Sequence, residues 1–438
     1  MAEKASTLLL QAVCQKQKLE DAVILMENSP ILQNSFNNIV YLTDCKRDVF
    51  DIIGDKPFSG TFDETVKEFV YSFSNSLMSQ PEVKSFPDLV ALAFWMRKSN
   101  IIRLENDFKD DDSFRVPVGS VIHFAPSNVD TIFIYSLFLS LLVGNVNLVR
   151  LSEKSSPQKT ILVNLINQEL NKTQFKSLKQ KLSIITYPHS DNVTSALCAN
   201  VNMRVIWGGD TSVNKISSYP LRPGATELKF VDKYSMCFAD PSILDTLAAD
   251  KYQDLVKRFV NDTYWFGQQG CSSPRTVVWL NADRYAGQID AFWCAVAEQA
   301  AALFGHDVVG ADIMNKLVVA DLAAVSANIA KVRRHGKILT RVKLSDIDQH
   351  NDIRQLHCGS GLFFELSIKD SSELAAIIDR KVQTISYFGL GSDELKDNFK
   401  CNSIFPDRVV PVGEALNFSV IWDGINLLKS LTRIVDFK

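Results

Sequence analysis

The stretch FGQQGCSSPRTVVW, residues 266–279, places one cysteine directly before an apolar, β-branched run. Cys271 follows Gln269-Gly270 and precedes Ser-Ser-Pro-Arg, so a turn is predicted at the thiol and a buried strand after it. A thiolate in that position could attack a carbonyl carbon and hold an acyl group. The alternative is that Cys271 is a small apolar residue packed in a turn.

Three chemistries could use such a thiol. A papain-like protease also has Gln and Gly just before its cysteine, but it needs a histidine base far downstream, and the last histidine here is His357. A redox thiol needs a resolving cysteine, and none is close to Cys271 in sequence. The third chemistry is a thiolate that takes an acyl group and then receives a hydride, served by a dinucleotide-binding unit earlier in the chain.

The eight cysteines are scattered, with no C-x-x-C pair among them. This spacing fits neither a disulfide framework nor a zinc site, and it suits a reducing compartment. The N-terminus carries Glu3 and only a short apolar stretch, which is unlike a secretory signal. We therefore expect a cytoplasmic protein without a metal site.

The composition is that of a globular protein with a sizeable core. The chain has 438 residues, of which 46% are hydrophobic and 22% charged, and the length predicts two or three packed units. The net charge of -3 gives no broad electrostatic footprint for nucleic acid or for an anionic membrane. These values exclude a generally disordered chain and argue against a nucleic-acid partner.

One uncharged segment, from Thr131 to Val149, has the length of a transmembrane helix. Gly144-Asn145 is a helix stop inside it, and the alternating NVNLVRLS that follows is typical of a strand. The segment is therefore predicted to be a buried helix followed by a buried strand, and no membrane span is expected.

Strands and helices alternate around that segment. SVIHFA, NVNLVRL, LSIITYP and NMRVIWGGD are predicted strands, separated by helical patterns, which indicates an α/β fold with a parallel, doubly wound sheet. Ligands bind such sheets beyond the carboxyl ends of the strands. Residues 1–100 are predicted to be mostly helical, and the acidic run ENDFKDDDSF, 105–114, to be a solvated loop.

Several motifs together resemble a known family. GNVNLVRLSEKSSP, 144–157, is similar to the Gly-Asn, strand, basic residue and glutamate of the aldehyde dehydrogenase superfamily, with Arg150 and Glu153 at the matching positions. FGQQGCSSPR resembles the nucleophile loop of that superfamily. With APSNVDTIF, DKYS, SYFG and the ending ALNFSVIWDGINLLKSLTRIV, the chain resembles the LuxC-type acyl-CoA reductases, the fatty-acid reductases of bacterial bioluminescence, over about residues 115–438.

The resemblance implies an aldehyde dehydrogenase-like fold with four parts. Residues 1–100 would form a helical region that packs on the cofactor domain, and 101–230 the NADP-binding domain. Residues 231–405 would form the catalytic domain, and 406–438 a segment that contacts the cofactor domain or an oligomer partner.

The resemblance also assigns roles to residues. Cys271 would be the acyl-accepting nucleophile, and Asn128 would donate its side-chain amide to the developing oxyanion. The alternative is that Asn128 caps the helix that follows, and the two roles are compatible. Arg150 would face the adenosine ribose and its 2′-phosphate, with Glu153 beside it, or be an ordinary strand-end charge. Gly208 and Gly209 would let the cofactor pyrophosphate approach a helix N-terminus.

Two acid–base residues differ from the superfamily pattern. Oxidising aldehyde dehydrogenases carry a water-activating glutamate in a Glu-Leu-Gly-Gly-Lys stretch, whereas this chain has TELKFVDKYS, with Glu227 out of register. A reductase that must not hydrolyse its acyl-enzyme has reason to lack that base. His357 lies where the superfamily has a ribose-binding glutamate, and we expect a structural role for it.

The resemblance therefore predicts an NADPH-dependent reductase that converts a fatty acyl-CoA to a fatty aldehyde. The alternatives are a reductase that releases a carrier-protein thioester, an oxidising aldehyde dehydrogenase, and a scaffold subunit that kept the fold without turnover. The expected partners are an acyl-CoA or acyl-protein thioester, an acyl-transferase or acyl-protein synthetase, and further copies of the chain in a dimer or tetramer.

Overall fold

The computed structural model of the protein describes residues 36–44, 48–54, 60–110, 113–306 and 308–438. These divide into two compact units. The first unit comprises the described residues up to Val231 together with Leu427–Lys438, and the second comprises Asp232–Asn426. The predicted helix over STLLLQAVCQKQKLEDAVILM lies outside the described residues.

The first unit is built on a six-stranded sheet in the order β1-β5-β4-β3-β6-β7. Strands β3 to β7 run parallel, and the short β1 pairs antiparallel with β5 at one edge. The predicted parallel sheet is thus confirmed. Its strands are β1 Val40–Tyr41, β3 Ser120–Phe124, β4 Val146–Leu151, β5 Leu182–Thr186, β6 Met203–Trp207 and β7 Thr226–Phe230, and a separate pair is formed by β2 Arg115–Pro117 and the C-terminal Thr432–Ile434.

The described residues of the region 1–100, which was predicted to be mostly helical, contain three helices and the start of a fourth. The helices of the first unit are α1 Val49–Ile53, α2 Glu64–Ser79, α3 Pro87–Trp95, α4 Lys98–Lys109, α5 Thr131–Leu142, α6 Pro157–Asn171, α7 Asp191–Asn200 and α8 Asp210–Ser217, with 3-10 turns at Pro81–Ser85 and Thr173–Gln180 and a short C-terminal helix at Leu427–Ser430.

The uncharged segment is a core element. Every residue of α5 is buried, and β4 follows after Gly144, whose φ of 89° lies in the region that favours glycine. Complete burial explains the absence of charge, because any charged side chain in α5 would lose its hydration. Within the described part of the chain, every helix is too short or too polar to cross a bilayer.

The prediction of a solvated loop over 105–114 is wrong for its first half. Glu105 to Lys109 continue α4, and Glu105 accepts hydrogen bonds from Lys109 Nζ at 2.7 Å and from Lys67 Nζ on α2 at 2.8 Å. The i,i+4 pair and the partner on α2 stabilise helix where the acidic composition alone indicates a loop.

The second unit is built on a seven-stranded sheet in the order β10-β11-β12-β9-β8-β13-β14. Its strands run parallel except for β10, which forms an antiparallel hairpin with β11 at one edge. The strands are β8 Tyr234–Ala239, β9 Thr276–Leu280, β10 Ile329–His335, β11 Leu339–Leu344, β12 Leu362–Ile368, β13 Val382–Phe388 and β14 Arg408–Pro411, and a separate hairpin joins β15 Ile421–Trp422 to β16 Ile425–Asn426.

The helices of the second unit are α9 Ala249–Tyr264, α10 Ala286–Phe304, α11 Gly310–Ser326, α12 His350–Ile353 and α13 Ser392–Cys401. Two clusters of buried apolar side chains involve strands of this sheet. One includes Phe364 and Ile385, and the other includes Phe259, Trp293 and Phe363. Strand β9 is central in the sheet, so the loop that leads into it ends at a fixed position.

Candidate active site

Cys271 lies in the loop that enters β9 in the second unit, and its side chain is half-buried. Before the loop, Phe266, Gly267 and Gln268 have φ values of 58°, 58° and 64°, a run of left-handed residues that is costly unless other contacts fix it. The fully buried Gln268 supplies those contacts: its amide nitrogen donates to Pro274 O at 2.9 Å and its oxygen accepts from Gly361 N at 3.0 Å. The backbone around the thiol is thus held by one glutamine.

Strands β8 and β13 supply the other contacts of Cys271. Ser235 Oγ on β8 donates to Cys271 O at 2.7 Å, and the same Oγ accepts from Thr384 N on β13 at 3.1 Å. Gln383 Nε2 on β13 donates to Cys271 Sγ at 3.3 Å and to Asp423 Oδ1 at 2.5 Å. The sulfur therefore faces an amide donor.

The surroundings of the thiol keep it protonated at neutral pH. Burial raises the pKa of Cys271 to about 11, and the Asp423 carboxylate adds to the rise, while the hydrogen bond from Gln383 and the charge of Arg275 oppose it. The thiolate is the reactive form of a cysteine. The reactivity of Cys271 therefore depends on hydrogen-bond donors and charges close to Sγ that favour its ionisation.

Sequence reasoning missed Ser235, Gln383 and Asp423. Ser235 ends the DKYS motif, which in the sequence serves only as a mark of the family. Asp423-Gly424 is a hairpin-turn dipeptide, and that signal was available. No sequence signal pointed to Gln383.

The other predicted site residues lie at one edge of the first unit's sheet. Asn128 follows β3, Arg150 is near the end of β4, with Glu153 just beyond it, and Gly208 and Gly209 follow β6. Because β3, β4 and β6 are parallel, their carboxyl ends meet at this edge. The chain passes from β3 to β4 on one side and returns to β6 on the other, so the β3–β6 boundary is the switch point where α/β sheets bind ligands.

Arg150 is already in contact with the neighbouring strand end. Its Nη2 donates to Tyr187 O at 3.3 Å, and its guanidinium lies 5.1 Å from the centre of the Tyr187 ring. Arg150 is half-buried and Glu153 is exposed. The guanidinium therefore has further donors to offer an anion at this edge.

The loop after β3 exposes the side chain of Asn128, whereas the loop after β6 leaves free space beside its backbone. Asn128 is exposed and lies two residues before Asp130, the N-cap residue of α5, whose side chain makes no capping hydrogen bond. Gly209 is the N-cap of α8, and a Cβ added there would meet no atom within 4 Å. A ligand could approach the backbone of that turn closely.

Glu227 is committed to an ion pair within the first unit. It accepts from Arg204 Nε at 2.6 Å and pairs with Lys229 Nζ at 2.8 Å. Partial burial disfavours its charged form, but the hydrogen bonds from Lys229 and Arg204 prevail and lower the pKa of Glu227. A carboxylate with a lowered pKa is a weak base.

His357 has both ring nitrogens occupied by backbone groups. Nδ1 accepts from Gly359 N at 3.0 Å, so Nε2 carries the proton and donates to Leu362 O at 2.8 Å. Burial, with the charge of Arg275, lowers the pKa of His357 to about 3. These contacts support the expected structural role. Among the described residues no group of three or more His, Cys, Asp or Glu side chains could hold a metal ion.

Comparison with known proteins gives the family context. The model of the family described as acyl-CoA reductase (LuxC) matches residues 97–300, which include Cys271 and the five predicted residues at the edge of the first sheet. No curated protein matches the chain in sequence.

Solved structures match over most of the chain at low identity. An NAD-dependent benzaldehyde dehydrogenase from Corynebacterium glutamicum is 12% identical with a TM-score of 0.59, covering 86% of this chain and 85% of its own. The P. syringae indole-3-acetaldehyde dehydrogenase AldA, in complex with NAD+ and IAA, is 13% identical with a TM-score of 0.60, covering 84% and 83%. Aldehyde dehydrogenase 21 from Physcomitrella patens is 9% identical with a TM-score of 0.59, covering 89% and 85%.

The structural matches show the aldehyde dehydrogenase fold, and the family match supports an oxidoreductase that acts on acyl or aldehyde groups. A nicotinamide cofactor is consistent with both. The resemblance to the LuxC-type acyl-CoA reductases, first drawn from the sequence motifs, is confirmed over residues 97–300, and the expected aldehyde dehydrogenase-like fold is confirmed over most of the chain.

Proposed function

We propose that this protein is an NADPH-dependent reductase that converts a fatty acyl-CoA to a fatty aldehyde through an acyl group carried on Cys271. The observation that carries the proposal is the position of Cys271. It lies within the LuxC-matched region, its thiol is half-buried in a loop with a fixed backbone, and an amide donates to its sulfur.

Acyl transfer to the thiol is chemically balanced. Cys271 Sγ attacks the thioester carbon, the C–S bond to CoA breaks, and the proton lost from the thiol ends on the CoA sulfur. One thioester replaces another, so the step costs little bond energy. The oxyanion that forms on the way requires a donor, and we assign Asn128, whose amide would contribute roughly 3 kcal/mol.

The carboxyl edge of the first unit's sheet fits a dinucleotide. It has the switch point between β3 and β6, the open turn at Gly208-Gly209 before α8, and a guanidinium at Arg150. NADPH held there would supply the hydride that reduces the thioester carbon. Arg150 suits the 2′-phosphate because its charge is permanent and its donors are arranged in a plane. Glu153 would lie beside the ribose.

The chain must then release the aldehyde and avoid hydrolysis. Once the acyl carbon is reduced, its bond to Cys271 Sγ breaks, the aldehyde leaves, and the sulfur regains a proton. Hydrolysis would need a base to activate water near the thioester. Glu227, the one carboxylate suggested by the family's pattern, is paired with Arg204 and Lys229, which supports a reductase over an oxidising enzyme.

The test is to incubate the protein with acyl-CoAs of increasing chain length and NADPH and to follow the loss of NADPH absorbance. Without NADPH, one acyl mass should appear on the peptide that contains QQGCSSPR. Cys271→Ala should abolish both the label and turnover, while Cys294→Ala, at an exposed cysteine, should retain both. Label on Cys237 or Cys294, or turnover by Cys271→Ala, would overturn the proposal.

The same assay identifies the acyl donor. If carrier-bound thioesters are reduced and acyl-CoAs are not, the donor is an acyl-protein delivered by an acyl-transferase or acyl-protein synthetase partner. We further propose that the protein is cytoplasmic and forms a homodimer or homotetramer. Sedimentation of the active protein would establish the oligomeric state.

A further inference from the structure

We infer that Gln383 and Asp423 are positioning residues for Cys271. The Asp423 carboxylate orients the Gln383 amide so that the amide N–H stabilises the Cys271 thiolate. This inference deepens the proposed function, on which its catalytic meaning rests. Neither residue lies within the matched family region, 97–300.

The hydrogen bonds of Gln383 fix which end of its amide faces the sulfur. Nε2 donates to Asp423 Oδ1 at 2.5 Å and to Cys271 Sγ at 3.3 Å, while Oε1 accepts from Thr384 Oγ1 at 3.4 Å. A carboxylate can only accept, so Asp423 requires the amide nitrogen on its side. Gln383 is 4% exposed, which leaves the amide few other partners. Its second N–H is thereby directed at Sγ.

The turn of the β15–β16 hairpin places Asp423. Asp423 and Gly424 have φ values of 50° and 75°, which is the two-residue hairpin geometry that Asp-Gly favours. The Asp423 side chain is 9% exposed. Burial of a carboxylate at the tip of a hairpin is costly, and the hydrogen bond from Gln383 Nε2 offsets part of that cost.

Charged groups around the pair leave Asp423 as the negative charge next to the thiol. Lys233 binds Asp407 Oδ2 at 2.8 Å and Arg380 O at 2.7 Å, so its charge is largely neutralised. Burial, the largest effect, raises the pKa of Asp423 to about 6, and Asp407 adds to the rise, while the hydrogen bond from Gln383 and the charges of Lys233 and Arg380 oppose it. Arg275 is the cation that acts on Cys271 directly.

Gln383 and Asp423 act on the thiol in opposite directions. The N–H of Gln383 stabilises the thiolate, whereas the carboxylate of Asp423 disfavours it. Loss of the donor should therefore raise the pKa of the thiol, and loss of the charge should lower it. A merely structural role for either residue would not give opposite signs.

The experiment measures how fast iodoacetamide alkylates Cys271 as a function of pH, by mass spectrometry of the QQGCSSPR peptide, in the full chain without acyl-CoA or nicotinamide. Gln383→Met removes the donor at similar volume and should slow alkylation at pH 8 about 10-fold or more, since a hydrogen bond to a charged group is lost. Asp423→Asn keeps an acceptor for Gln383 Nε2 and should speed alkylation and shift its profile to lower pH.

The matched controls use a second glutamine–carboxylate pair. Gln288 is half-buried and donates to Oδ2 of the exposed Asp245 at 2.7 Å, so Gln288→Met and Asp245→Asn remove the same chemistry elsewhere and should leave the Cys271 alkylation profile unchanged. Thermal unfolding reports whether each variant is folded. If Gln383→Met is unfolded, Gln383→Glu, which keeps the shape and adds negative charge, should slow alkylation.

The outcomes separate this inference from the proposed function. The inference is overturned if the pH profile of Cys271 alkylation shifts in the same direction in Gln383→Met and Asp423→Asn, or if it shifts in neither variant. Opposite shifts together with an absence of acyl label on Cys271 keep the inference and overturn the proposed function. Opposite shifts and slower acylation of Gln383→Met by an acyl-CoA support both.

Discussion

Glu227 and Arg204 form an ion pair inside the first unit, with Arg204 Nε 2.6 Å from Glu227 Oε2 and the arginine side chain 2% exposed. The remaining guanidinium nitrogens donate to Tyr219 O at 2.9 Å and to Ser217 O at 3.3 Å. Glu227 is therefore the carboxylate that neutralises a buried cation. A residue in that role stabilises the fold and is poorly available to activate water.

Glu227→Gln should destabilise the protein and leave acyl-enzyme hydrolysis unchanged. Removing the charge leaves Arg204 buried without its counter-ion, which costs about 3 kcal/mol of unfolding free energy. Urea unfolding measures that loss, and the decay of labelled acyl-enzyme in buffer measures hydrolysis. We expect the wild-type label to persist for minutes and the mutant label to decay at the same rate. Rapid release of fatty acid by the wild type, slowed in the mutant, would make Glu227 a hydrolytic base.

Much of the first unit could be predicted from sequence because its strands and helices are marked locally. The strands ending at Phe124, Leu151, Thr186 and Trp207 are short, mostly apolar segments with Gly, Pro or Asn close to their ends, which is typical of a parallel sheet buried on both faces. The acidic run is misleading in sequence because Lys67, the partner of Glu105, lies 38 residues earlier in the chain.

The thiol's loop could be predicted from sequence, but its contacts could not. Gln383 is separated from Cys271 by 112 residues and from Asp423 by 40, and they meet because β13 and the β15–β16 hairpin are placed by the folded unit. The Asp-Gly dipeptide indicates a hairpin turn but carries no information about what the aspartate faces. Strand order in a sheet depends on packing between distant segments, which local patterns do not specify.

Two glycines near the thiol should respond very differently to alanine. Gly267 has a φ of 58°, and a Cβ added there would meet no atom within 4 Å, so Gly267→Ala should cost only about 1 kcal/mol of conformational strain. Gly361 has a φ of 82°, and a Cβ there would lie 2.2 Å from Ile338 O and 2.8 Å from Tyr264 Oη. Gly361→Ala should therefore unfold at a much lower urea concentration. It should also change the rate at which iodoacetamide alkylates Cys271, since Gly361 N donates to the Gln268 side chain that holds the loop. Equal stability of the two variants would contradict this account of the loop.

Asp262 should make stability depend on pH. Burial raises its pKa to about 7, while hydrogen bonds from Gly413 N at 2.6 Å and Ala415 N at 3.1 Å oppose the rise. Because the folded pKa lies above the unfolded value, the folded state binds the proton more tightly, and the resulting stability is present at low pH and lost as pH rises through about 7.

The difference in unfolding free energy between wild type and Asp262→Asn isolates this contribution. From about pH 4 to pH 7 the wild type should lose stability relative to the variant, because asparagine does not titrate and all other groups cancel in the comparison. Asp254→Asn, at an exposed position on the same helix, should give a difference that does not follow this trend. A pH-independent difference for Asp262→Asn would mean that Asp262 stays ionised in the folded protein throughout the range.

Arg150 should select the phosphorylated cofactor. Arg150→Ala removes a charge-assisted contact that only the 2′-phosphate can make, so the KM for NADPH should rise roughly 10- to 100-fold while that for NADH changes little. The measurement is initial rates with each cofactor at saturating acyl-CoA. Lys154→Ala removes an exposed cation from the same loop and controls for general electrostatic attraction. Because Arg150 also packs on Tyr187, its variant must be matched to the wild type in thermal stability before the kinetics are compared. An equal rise in the KM for NADPH and NADH would mean that Arg150 contacts a part that the two cofactors share. No change in either KM would mean that Arg150 is a strand-end charge that contacts Tyr187 and does not bind the cofactor.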